Sequence, residues 1–482
     1  MPSSSVTTEL FDSFGSGVLV VVRTGRAGNE SCCRMHVRPS CVTLRFGATW
    51  NHDPSKFFWC KPISNLIRTT TTHTFTYRLL LIKMAPIVDA DATGSIASSP
   101  LTPAQVDEFK RNGLLVLSHL TQDELHDAHN GLLQTLQKYG IDSSSDDALR
   151  TTGHKLAALS STNGSGGVLD VFYPRWKMDI ALNDRLFAIT KQLWRECYCH
   201  EGEEMNDLSE DEQYKWHPFG KFNPDIGHAY IDRIGYRLPT KLAEELGRKI
   251  GAEAQSKGCD GSTCSRNGNT NTNTNTNKNS RRKRSRPIQR SLTPHLDCCP
   301  ETFYSSENKG KFRPIQCMVS LTDNLEPNTG GFEAVRGFHH EFASWTNCRH
   351  PSLVKTANGE QQISPPCLGE YTHIRPNEDS DVFKRVEHIP VRAGDVVLWD
   401  NRLPHSNAYK HTGSVPRSVV YCSFLPDVNV NRKYVESQLG DFLALRKPGD
   451  QWIEESDERE VEDVNISSMG LLCRQLLGID SW

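Results

Sequence analysis

The stretch Thr293-Pro294-His295-Leu296-Asp297 sets an imidazole and a carboxylate two residues apart. On an extended strand, residues i and i+2 project from the same face, so His295 and Asp297 would stand side by side. Two histidines and one carboxylate on one face of an octahedral ion form the donor set of non-haem Fe(II) oxygenases, with the other positions open to cosubstrate and dioxygen. A second histidine must come from elsewhere. His405 is the candidate: it follows the apolar run Val396–Asp400, and Pro404 would end strand pairing and turn the ring out at the strand end. Arg417, twelve residues further on, opens the last apolar run. Its planar guanidinium suits a carboxylate, and the distal carboxylate of 2-oxoglutarate is the candidate, with the other end of that molecule chelating iron. Arg402 is the nearest rival, but its place beside His405 leaves little room for a cosubstrate between them.

The elements that must position these groups are strands. From Leu292 to Leu425 short apolar or β-branched runs alternate with turn residues, the pattern of a sandwich or barrel. Pro314–Leu321 reads as a buried strand, Asn328-Thr329-Gly330-Gly331 as a turn, and Phe332–Val335 as the returning strand. His388–Val391 and Val396–Trp399 flank Gly394-Asp395, a second hairpin-type turn. Ser418–Phe424 is the last core strand, and His228–Leu238 an earlier aromatic-rich one. Helices precede and flank them. Thr102 with Pro103 marks one start. Thr121 and Glu124 form a capping box for a second, Asp184–Tyr198 reads as a third, and Lys241–Ile250 as a fourth. The fold class is therefore mainly β with flanking helices.

The remainder of the 482 residues divides by composition. Residues 1–83 carry ten basic and four acidic residues in a Ser/Thr-rich context, which suits a transit peptide, a poorly ordered extension, or an over-long gene model with Met84 as an alternative start. Residues 251–290, with Asn-Thr repeats and the basic run Arg281-Arg282-Lys283-Arg284, read as a disordered insertion. Asp450–Asp463 holds eight acidic residues and one basic, and the leucines from Leu471 to Leu477 suggest a closing amphipathic helix. The expected organisation is an extension at 1–95, a domain at 96–445 interrupted at 251–290, and a tail at 446–482. A net charge of −3 calls for no nucleic-acid partner, and no apolar run reaches the roughly 20 residues of a membrane span. Fifteen scattered cysteines suggest free thiols in a reducing compartment, so cytoplasmic residence is expected, with organelle targeting by residues 1–83 the alternative.

The ordered set His295-x-Asp297, Gly330-Gly331, Gly337-Phe338-His339, Gly394-Asp395, His405 and Arg417 resembles the phytanoyl-CoA dioxygenase family over about residues 100–430. The resemblance implies a double-stranded β-helix (jelly-roll or cupin-like) core, iron held by His295, Asp297 and His405, and 2-oxoglutarate bound by Arg417. It implies oxidative decarboxylation to succinate and carbon dioxide, coupled to hydroxylation of a small organic or acyl-CoA-like substrate. Related halogenases lack the carboxylate, so Asp297 favours hydroxylation. Val319 stands where some members place an aromatic residue lining the cosubstrate pocket, and Gly337-Phe338-His339 departs from the family's Gly-Ser-His and reads as structural. Gln316 and Met318 share one face of their strand and read as core. Arg233, Tyr236 and Arg237 are candidate pocket residues. Two other readings stand beside this one. A jelly roll with a long insertion and an acidic tail could be a non-catalytic binding module, and Cys197-x-Cys199-His200 with Cys259 and Cys264 could hold zinc, although neither pair has the usual spacing.

Overall fold

The helix Pro103–Asn112 begins where Thr102 accepts a hydrogen bond from the Gln105 amide while the Gln105 side chain returns one to the Thr102 amide. Thr121 and Glu124 close the same reciprocal cap on Gln122–Lys138, satisfying amides that a bare helix start leaves unpaired. The computed structural model describes residues 99–257, 286–306, 310–349, 370–448 and 466–482, and the strands Val20–Ala27, Glu30–Val37, Leu44–Gly47, Leu353–Lys355 and Gln361–Ile363. The chain divides into units Met1–Ala92 and Thr93–Trp482.

In the first unit Val20–Ala27, Glu30–Val37 and Leu44–Gly47 pair into an antiparallel sheet. These short strands lie within the stretch read as a transit peptide or poorly ordered extension. The β-branched run Val20-Val21-Val22 suits the first of these strands. The remainder of the proposed extension or transit segment lies outside the described residues.

The second unit is built on two antiparallel sheets with helices against one of them. The six-stranded sheet runs in the order Leu114–Ser118, Asp395–Asp400, Ile315–Ser320, Arg417–Pro426, Gly227–Arg237, Val168–Leu169. The five-stranded sheet runs Thr372–His373, His295–Leu296, His405–Asn407, Phe332–Ala334, Glu387–His388. Parity explains why the central strands bury apolar residues on both faces. Successive side chains point to opposite faces. Met318, Val397, Trp399 and Val419 join Leu296, Phe332 and Ala334 of the other sheet in one buried cluster between the sheets. Their neighbours Cys317, Val319, Val396, Leu398 and Val420 instead pack with Leu132, Leu186, Phe187, Leu193 and Trp194 of the helices. Each fully buried side chain of this kind contributes roughly 1.5–3 kcal/mol. A charge at Leu193, on the inner face of Asp184–Cys197, would break the helix layer away.

Three expectations are corrected. The two expected hairpins are crossovers: Ile315–Ser320 and Asp395–Asp400 lie in the six-stranded sheet, while Phe332–Ala334 and Glu387–His388 lie in the other. Gly394, at φ +88°, turns its carbonyl to the amides of His119 and Leu120 and gives its own amide to Ser320, so the turn links sheets instead of closing a hairpin. The fourth helix runs Thr240–Lys257, past residue 250. At the other end of the expected insertion, Ile288 and Gln289 are buried, and Gln289 bonds both the Leu238 amide and the Tyr236 carbonyl. Only 258–285, including Cys259, Cys264 and the basic run, lies outside the described residues. Finally, Cys299 is disulfide-bonded, whereas Cys197, Cys199, Cys298, Cys317, Cys348, Cys422 and Cys473 are free.

The tail's closing helix is Leu471–Leu476, with Leu476 and Leu477 buried in the helix-side core. Most of the acidic segment lies outside the described residues. Among the described residues, no helix is long and apolar enough to cross a membrane.

Candidate functional site

His295 and His405 are directly paired residues on adjacent antiparallel strands. Such neighbours project to the same face with their Cβ atoms about 5 Å apart, and here the ring centroids are 4.3 Å apart. Each ring is fixed in the same way. Nδ1 of His295 lies 2.8 Å from the Thr293 carbonyl, and Nδ1 of His405 lies 3.0 Å from the Leu403 carbonyl. A carbonyl only accepts, so in both rings Nδ1 carries the proton and Nε2 presents its lone pair. Nε2 of His295 is 3.4 Å from one oxygen of Asp297, and Nε2 of His405 is 3.6 Å from the other. The three ligand atoms lie within 4.8 Å of one another, the one group of three or more such side chains found among the described residues. Cys197, Cys199 and His200 do not converge in this way; His200 Nε2 is occupied by the His217 backbone amide at 3.0 Å.

The electrostatics suit a cation. Burial alone would raise the Asp297 carboxyl, but the two imidazoles beside it hold it well below the usual carboxylate range. Burial, and then the neighbouring His295, lower His405 below its ordinary value, which keeps that ring neutral and its lone pair free.

The turn before His405 is held by a buried ion pair. Asp400 Oδ1 accepts from the Arg402 backbone amide and Nε, both at 2.8 Å, and Oδ2 accepts from Nη2 at 2.6 Å and from the Tyr198 hydroxyl at 2.7 Å. Arg402 also donates to the Tyr214 carbonyl. The rival anion clamp is thus committed to bracing the turn.

Arg417 is placed apart from the three. It is 2% exposed, on the six-stranded sheet, with Nη1 3.5 Å from the Tyr421 hydroxyl and Nη2 3.2 Å from Met318 Sδ. Val419, two residues on, belongs to the cluster between the sheets, so Arg417 enters that same space. The three converging residues open onto a cavity of about 1460 Å³, also lined by Tyr371, Arg313, Tyr230, Arg233 and Tyr421. That exceeds the several hundred Å³ of an ordinary small-molecule site. Gln316, expected in the core, also lines it. Arg233 is a pocket residue as expected, its charge met by Asp170 at 2.7 Å. Tyr236 and Arg237 are buried away from the lining. His339 bonds the Lys110 carbonyl and packs against Gly113, whose φ of +64° ends the first helix, so Gly337-Phe338-His339 is a brace.

Two neighbours of the site were missed in sequence. Tyr371 stacks on His295 with centroids 4.7 Å apart. Arg313 lies 3.8 Å from Asp297 and 3.7 Å from Asp232, with its guanidinium over the Tyr230 ring. Burial works against that charge, yet Tyr230, Asp297 and Asp232 push its pKa above the ordinary arginine value. A charged residue beside Pro314 at the mouth of an apolar strand was the available signal. The signal for the histidines themselves is stronger: both follow a proline, in Thr293-Pro294-His295 and Leu403-Pro404-His405.

A family model described as Gig2-like matches residues 301–470, a span that includes His405 and Arg417 and begins after Asp297. A Dictyostelium discoideum protein named "Putative phytanoyl-CoA dioxygenase" is 26% identical over 167 residues, 34% of this chain and 39% of that protein. The chain therefore spans well under half the length of that relative. The crystal structure of the Candida albicans GlcNAc-inducible gene 2 protein aligns with a TM-score of 0.53 at 15% identity, covering 80% of this chain and 78% of that one. This is a likeness of fold. The non-haem alpha-ketoglutarate-dependent carbocyclase SnoK from nogalamycin biosynthesis aligns at a TM-score of 0.34 and 13% identity, covering 69% and 87%, too slight a likeness to bear on chemistry.

Proposed function

We propose that this chain is an Fe(II)- and 2-oxoglutarate-dependent dioxygenase, hydroxylating a small organic or acyl-CoA-like substrate within a double-stranded β-helix formed by the two facing sheets. The observation that carries the proposal is the convergence of His295, Asp297 and His405, with both imidazole Nδ1 atoms tied to backbone carbonyls and both Nε2 atoms turned to the carboxylate. Two neutral nitrogens and one carboxylate oxygen fit a ferrous ion that keeps open positions. The likeness over part of its length to a protein named as a phytanoyl-CoA dioxygenase supports the same chemistry.

In this reading His295, Asp297 and His405 hold the metal, and Arg417 receives the distal carboxylate of 2-oxoglutarate. When bound, iron supplies the dioxygen chemistry that couples decarboxylation of 2-oxoglutarate, to succinate and carbon dioxide, with hydroxylation of a C–H bond. The chain's own part is placement. The Thr293 and Leu403 carbonyls set the tautomers, the Asp400–Arg402 pair fixes the turn that presents His405, and the apolar cluster between the sheets keeps water from one side of the site.

The test is anaerobic loading with Fe(II) and 2-oxoglutarate, followed by oxygen and measurement of succinate. Formation should require Fe(II) and vanish in His295→Ala and Asp297→Ala. Undiminished succinate in both variants would remove the ligand assignment. A folded protein that binds neither iron nor 2-oxoglutarate would favour the binding-module reading. A search of a metabolite pool for a product 16 mass units heavier would then identify the substrate.

A further inference from the structure

Arg417 has a second guanidinium beside it. Arg237 is its direct partner across the antiparallel strands Gly227–Arg237 and Arg417–Pro426, so both side chains leave the sheet on the same face. Both are buried, at 3% and 2% exposure. Among the described residues neither has a carboxylate within ion-pair distance. Arg237 donates Nη2 to the Tyr409 carbonyl at 3.1 Å, and its Nη1 is buried without a hydrogen-bond partner. Glu333, the nearest acidic influence, is bonded instead by the Ser406 hydroxyl at 2.9 Å. Burial, and then the charge of Arg417, bring the Arg237 pKa down to about 10, so it stays cationic at neutral pH.

Two buried like charges with no counter-ion are costly, and a donor left unpaired in the interior adds to the cost. An arrangement of that kind is stabilised by an anion brought in from solution. Neither arginine lines the large cavity itself, but the residues each guanidinium touches, Tyr409 and Tyr421, both do, so the pair sits one residue behind its wall. We propose that Arg237 is a second cation of the subsite for the cosubstrate's distal carboxylate, sharing that carboxylate with Arg417. This rests on the 2-oxoglutarate reading given above and adds a residue to it. With two guanidiniums facing one carboxylate, the site would discriminate strongly between 2-oxo acids that carry a distal carboxylate and those that do not, because only the former neutralise the pair.

The experiment is anaerobic calorimetric titration of the Fe(II)-loaded full chain with 2-oxoglutarate and, separately, with 2-oxobutyrate, which has the chelating end but no distal carboxylate. Arg237→Gln should weaken 2-oxoglutarate by roughly tenfold or more and leave 2-oxobutyrate within about twofold. Arg237→Lys, which keeps the charge and loses the fork of donors, should fall between the two and serves in its place if the glutamine variant does not fold. Equal weakening of both acids, or no weakening of either, overturns the assignment of Arg237 while leaving the cosubstrate reading standing. Failure of the unaltered protein to bind 2-oxoglutarate overturns both.

Discussion

His295 and His405 mirror one another: each follows a proline, each bonds through Nδ1 to the carbonyl two residues upstream, and each turns Nε2 to one oxygen of Asp297. The two short strands bring them face to face. Because the anchors are main-chain carbonyls, the orientation of each ring depends on the local path of the backbone, which proline restricts.

Pro404→Gly should therefore weaken metal binding without unfolding the protein. Loss of an outer contact that orients a metal-bound histidine typically costs about 10–100-fold in affinity. Anaerobic Fe(II) titration beside a thermal melt tests this. Unchanged affinity in a folded variant would show that the sheet alone aims His405.

The Asp400–Arg402 pair gives a prediction in pH. Burial would raise the Asp400 carboxyl, but Arg402 wins and lowers it from 3.8 to about 2. A group whose folded value is depressed stabilises fully above its unfolded value and loses that contribution as pH falls through the folded one. Stability should therefore drop by about 2 kcal/mol between roughly pH 4 and pH 2 from this group. Asp400→Asn should flatten that segment of the profile. At neutral pH it should cost about 3–5 kcal/mol, because Arg402 would remain buried without its counter-charge. Urea melts across pH check both.

Much of this site was legible in the chain. The i, i+2 spacing of His295 and Asp297 and the capping threonines Thr102 and Thr121 are local signals with local causes, whereas His405, expected to turn out at the end of Val396–Asp400, instead opens its own strand His405–Asn407 in the five-stranded sheet. The sheet to which each strand belongs was not legible. Gly330 and Gly394 announce turns, but a glycine at positive φ serves a crossover as well as a hairpin. Tyr371 and Arg313 acquire meaning only through partners far away in the sequence. The same holds for the end of the insertion, where Gln289 looks like any polar loop residue until the backbone it clamps is seen.

Gln289 supplies the last prediction. Its side-chain oxygen accepts the Leu238 amide at 2.7 Å and its nitrogen donates to the Tyr236 carbonyl at 2.8 Å. The residue joins 286–290 to the end of the strand that carries Arg237. Gln289→Ala would leave both main-chain groups unpaired in a buried place and should cost about 2–4 kcal/mol, one desolvation penalty for each. Replacing 258–285 with a flexible linker long enough to join Lys257 to Arg286 should cost less than 1 kcal/mol, since that change leaves both bonds in place. Chemical denaturation of the two variants compares them directly. A linker variant less stable than Gln289→Ala would mean that 258–285 contributes packing of its own and that the boundary of the domain lies within it.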